Sequence, residues 1–148
     1  MKLPGIIRRL ARPALRLAAL AALLLTGLAC GGGGRFVVLG TARAPSTSGI
    51  IEVDDLDGGN TLVTVHLEHL HPPDRLADGL QSYVVWFQGP GGSPIRAGEL
   101  RYDSEARTGD LAETAPFTHL VVSVTAETDA EATQPSDYVV ASHEISVD

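Results

Sequence analysis

The chain has 148 residues, 44% of them hydrophobic, with 11 basic and 18 acidic side chains, a net charge of −7 and one cysteine. That length suits one ordinary domain with a core of its own. A lone cysteine excludes an internal disulfide, and the acid excess argues against nucleic acid, whose phosphates it repels.

Lys2, Arg8, Arg9, Arg12 and Arg16 make a basic start. An apolar run from Leu17 to Ala29 follows, broken only by Thr26 and Gly27, and ends at Cys30 and the glycines Gly31 to Gly34. The run is too short for a transmembrane helix, which needs about 20 apolar residues. Basic start, short apolar middle and small residues before a cut site are the parts of a secretory signal. A cysteine at the cut resembles a bacterial lipoprotein signal, in which the thiol receives a diacylglyceryl group and the amine a third chain. Ala29 suits that pattern, whereas Gly27 and Leu28 stand where it has Leu and a small residue. Gly27 and Ala29 also suit an ordinary signal peptidase, which would leave the thiol free. Arg8-Arg9 lacks the residues that should follow a twin-arginine export pair.

The expected organisation is a lipoprotein-type signal peptide over 1–29, a lipidated Cys30 with a flexible Gly-rich tether over 30–34, and one domain over 35–148. Gly31 replaces the Asp that retains some lipoproteins at an inner membrane, which points by analogy to the outer one. Without the leader, six arginines face all 18 acids, a net charge near −12. No basic patch then holds the chain to a membrane. Attachment falls to the acyl chains, at about 0.8 kcal/mol per buried CH₂.

Beyond residue 34 the chain reads as strands. Runs rich in Val, Ile, Thr and aromatics, with period-two alternation, cover 35–42, 48–54, 61–69, 82–88, 95–102, 110–113, 118–127 and 137–147. Leu120, Val122, Val124 and Ala126 share one face; His119, Val121, Ser123 and Thr125 share the other. Turns at Asp57-Gly58-Gly59-Asn60, Gly89-Pro90-Gly91-Gly92 and Arg107-Thr108-Gly109 supply residues that tolerate positive φ. Seven or eight short strands argue an all-β, antiparallel, immunoglobulin-like sandwich. Tyr83-Val84-Val85-Trp86-Phe87 is apolar on both faces, which suggests a central strand covered on both sides or one sitting at the sandwich centre, with Trp86 as the core anchor.

From about Leu80 to Val147 the order of residues resembles the extracytoplasmic β-sandwich domain of the anti-sigma-K factor family. The likeness rests on Tyr83-Val84-Val85-Trp86, Gly98-Glu99-Leu100, the turn from Asp103 to Gly109, Val124-Thr125-Ala126-Glu127, and Pro135 before Val139-Val140. These are core and turn positions, so the resemblance implies a fold. The family's cytoplasmic sigma-binding, zinc-associated region and its membrane-spanning helix have no counterpart in this sequence, and sigma binding is not carried over.

Candidate chemistry centres on His66, His69 and His71 in His66-Leu-Glu-His69-Leu-His71-Pro72-Pro73. An H-x-H pair at a strand end puts two imidazoles on one face, as zinc and copper sites do, with His66 of opposite parity. Further donors would be Glu68, Asp74, His119 or His143. Solvated histidines at a strand end are the simpler reading. Asp54-Asp55-Leu56-Asp57-Gly58-Gly59-Asn60 fails the EF-hand spacing, because His66 stands where the bidentate Glu belongs. Gly92-Ser93-Pro94 is no nucleophile elbow, and no Gly-rich loop opens a helix. The expectation is a non-catalytic, cofactor-free envelope protein, exported and held to the membrane by its lipid, that meets an envelope protein or a glycan. The alternative is a lipoprotein that binds or delivers zinc or copper through its histidines.

Overall fold

The computed structural model describes residues 32–147. The expected signal peptide and Cys30 lie outside them. The described chain is an antiparallel β-sandwich of nine strands: β1 (Gly33–Leu39), β2 (Ser48–Leu56), β3 (Asn60–Glu68), β4 (Ser82–Gln88), β5 (Ile95–Glu99), β6 (Arg101–Asp103), β7 (Thr108–Ala115), β8 (His119–Glu127) and β9 (Val139–Ser146). One sheet runs β1-β2-β3-β7-β6, the other β5-β4-β8-β9.

Alternation decides which side chains fill the space between them. Ile51 and Val53 of β2, Val63, Val65 and Leu67 of β3, Tyr83, Val85 and Phe87 of β4, and Leu120, Val122, Val124 and Ala126 of β8 all enter one core. A face of β-branched and aromatic residues repeated every second position needs a second such face, and the sandwich supplies it.

The strand expected over 95–102 is two strands in two sheets. Leu100 donates its N–H to Tyr83 O at 2.8 Å while its side chain is buried. The next residue, Arg101, already pairs with Asp110 of β7. The chain crosses from one sheet to the other at Leu100, which raises the strand count to nine and closes that side. On the opposite side Gly40 bridges to Ala141, and Thr41 N–H reaches Val140 O. A Cβ on Gly40 would stand 2.0 Å from Ala44 O, so this closure requires glycine.

The Gly-rich tether is also shorter than expected. Gly32 O accepts from Asp55 N–H at 2.9 Å, and Gly33 and Gly34 pair with Asp54 and Val53. A Cβ on Gly33 would lie 2.9 Å from Val53 O, and one on Gly34 2.8 Å from the Phe36 ring. These glycines permit close packing at the start of β1; they are not linker.

The sandwich has two ends. At one, β1 begins and β9 finishes, and the turns after β2, β4 and β7 gather around residues 57–59, 89–94 and 116–118. At the other lie residues 40–47, 69–81, 104–107 and 128–138. This far end contains the one helix among the described residues, α1 (Pro73–Leu76), with Pro73 at its first position. Proline lacks the N–H that this position would leave unpaired, and its fixed φ suits helix entry.

Candidate functional site

The far end is built on the connection from β3 to β4, residues 69–81. The H-x-H pair does not stand on one strand face. β3 stops at Glu68, and His69 takes a left-handed φ of 58°. That conformation is uncommon for a residue with a Cβ, and it turns the chain out of the pleat on which the expected pairing depended.

Four side chains from four other elements hold the connection by its carbonyls. Ser46 Oγ donates to His69 O at 3.3 Å, and Arg107 Nη2 donates to the same oxygen at 3.1 Å. Arg107 Nε donates to Leu70 O at 3.0 Å, Tyr83 OH to His71 O at 2.6 Å, and Tyr138 OH to Leu76 O at 2.6 Å. Burial pushes the Tyr83 phenol well above its ordinary range, so it stays a donor. Arg107 is left-handed too, at φ 58°. The turn falls at 104–107, ahead of the expected 107–109, and Arg107 rather than Gly109 adopts the positive φ. Gly109 lies in β7, where a Cβ would stand 2.3 Å from Leu100 Cδ2. The guanidinium fork, together with Leu70 N–H on Arg107 O, clasps the two left-handed residues. Backbone strain of this kind persists only where its surroundings enforce it.

The imidazoles then sort into two settings. His69 Nδ1 lies 3.2 Å from Ser48 Oγ, and His71 Nε2 lies 3.1 Å from Ser46 Oγ. His66 stands on the outer face of the five-stranded sheet, where Nδ1 donates to Asp110 Oδ1 at 2.6 Å and Nε2 faces Glu68 Oε1 at 3.6 Å. The Asp110 hydrogen bond, opposed by partial burial and helped by the Glu68 charge, raises the His66 pKa above 6.5. Both ring nitrogens of His66 thus face carboxylates, and among the described residues no three or more His, Cys, Asp or Glu side chains form a set able to hold a metal ion. His119 is exposed at the start of β8, and His143 packs its ring 5.2 Å from Phe36.

Asp110, Ser46, Arg107, Tyr83 and Tyr138 are partners that sequence reasoning missed. Each reaches its contact from a segment at least 12 residues away, and no local motif carries such a pairing. The chain matches no family model, and a search of curated proteins and of solved structures gives no match.

Proposed function

We propose that this chain is an exported, lipid-anchored, non-catalytic envelope protein whose far-end rim meets an envelope protein or a glycan. The observation that carries the reading is the fastening of residues 69–76 by Ser46, Tyr83, Arg107 and Tyr138. A loop held by its carbonyls keeps its outward side chains in one arrangement, which lowers the ordering cost of binding. The Ser–His pairs lack the third group that orients a catalytic base: among the described residues no carboxylate bonds to the ring of His69 or His71. The anchor rests on Cys30 behind the apolar run, and the likeness to the outer domain of the anti-sigma-K family concerns fold alone.

Two measurements test the reading. Intact mass of the membrane-extracted protein is expected to show acyl chains on Cys30, and Cys30→Ser is expected to leave the detergent phase; an unmodified amine and thiol would reject the anchor. A photo-crosslinking residue at Asp74 is expected to give a discrete adduct in intact cells, and one at Thr114 on the open sheet to give none. Equal patterns would reject the rim.

A further inference from the structure

If Cys30 is acylated, as proposed above, the length of chain between lipid and sandwich decides how the domain stands. Gly32 is already hydrogen-bonded to Asp55 of β2, so only Gly31 separates Cys30 from the sheet. Two residues span at most about 7 Å. A flexible tether over 30–34 would have let the domain tumble; the pairing of Gly33 and Gly34 removes that freedom.

We infer that the domain stands end-on upon a lipid surface, with the end where β1 begins against the headgroups and the far-end rim directed away. The near end consists of the turns at 57–59 and 89–94, the connection at 116–118, and the close of β9. Its tips carry Asp57, Gly58, Gly59, Pro90, Gly91 and Ser93, and the ring of Phe117 in the connection is partly covered by packing on Gly89. Just behind them stand Leu56 and Ile95, two of the four exposed large apolar side chains among the described residues; the other two, Val37 and Leu39, lie along the β1 edge. Such a surface rests at headgroup level and does not insert. β2 and β3 each run nine residues, so the rim is raised about 30 Å above the surface, at about 3.3 Å per residue. His69, His71 and α1 then face outward, where a partner from the surrounding envelope reaches them without displacing lipid.

The test uses the full-length protein, recovered from membranes and reconstituted in phosphatidylcholine–phosphatidylglycerol vesicles that hold a spin-labelled headgroup quencher. A fluorophore is placed in turn on Asp57→Cys, Ser93→Cys, Ser104→Cys and Asp78→Cys. Positions 57 and 93 are expected to lose most of their emission, and positions 104 and 78 to keep theirs. A Gly/Ser spacer of about ten residues inserted after Gly31, with a reach of about 17 Å, is expected to abolish the contrast. Failure of the protein to float with the vesicles would overturn the anchor and the stance with it. Floating protein quenched equally at all four positions would overturn the stance and leave the anchor standing.

Discussion

The outer faces of the two sheets obey one alternation and meet opposite fates. On the five-stranded sheet, Arg35 bonds Glu52 at 2.8 Å in the open, and His66 bonds Asp110 half-exposed. On the four-stranded sheet, Val84, Trp86, Thr125 and Glu127 point outward and are nevertheless buried. The segment 128–138 is drawn across them. Arg96, which pairs with Trp86 across the strands, donates to Ala130 O from Nε at 3.0 Å and from Nη2 at 2.7 Å. Trp86 Nε1 donates to Thr125 Oγ1 at 2.8 Å; Thr125 donates in turn to Glu127, whose carboxylate also accepts Ser136 N–H. Polar contacts in water exchange one partner for another, so they hold little. The same contacts under a cover weigh more, because a desolvated group left unpaired costs about 1–3 kcal/mol. Ser82 Oγ is one such group, buried on this face with no partner.

That contrast breaks most directly at the covered face. Trp86→Ala is expected to cost about 3–5 kcal/mol by denaturant melting, and the parent tryptophan is expected to fluoresce as a buried indole; unchanged stability would place Trp86 outside any core. Arg96→Ala should cost less, on the order of 1–2 kcal/mol, with faster amide exchange confined to 128–138. Exchange that stays slow there would show that Arg96 does not hold the cover.

The open face is expected to respond weakly and with pH. The folded-state pKa of His66 is raised, so its contribution is full below the unfolded value of about 6.5 and is lost as pH rises through the higher folded value. His66→Gln should therefore lower the melting temperature on the acid side and converge with the parent in alkali. With the pair so exposed, the effect belongs within the roughly 0.2–1 kcal/mol of surface ion pairs. A difference that grows with pH would contradict the Asp110 contact. The smallest effect belongs to the rim: His69→Ala with His71→Ala should change stability by less than about 0.5 kcal/mol, because their backbone carbonyls, not their rings, carry the fastening bonds. A metal titration with a one-to-one endpoint lost in that double variant would favour the zinc or copper alternative.

Much of the fold was legible because period-two alternation reports burial directly. β4 was expected at 82–88 and is found there, and the inward set of β8 is the expected one. Trp86 was expected to be covered on both sides, and its strand is, but the indole belongs to the outer face and not to the space between the sheets. The cover comes from residues 128–138, whose own composition reads as a polar loop. The sheet crossing at Leu100 was illegible, since both halves of 95–102 alternate alike and only their partners differ. The histidine geometry failed at one dihedral: a left-handed His69 rests on Arg107, 38 residues on. Gly33 and Gly34 misled because glycine marks freedom and tight contact equally, and only Val53 and Phe36 distinguish the two.

The bridge between Gly40 and Ala141 has a consequence for how the molecule is made. Synthesis runs from the first residue to the last, so β1, β2 and β3 exist as a meander long before their closing neighbour does. Pairings of such sequence separation form slowly, because the loop must be closed before contact rewards it. Until Val139 to Ser146 arrive, β8 presents a bare edge of nine residues, open to any strand that passes. A chain cut short before residue 139 is therefore a strand acceptor, and its natural fate is aggregation or capture by a chaperone.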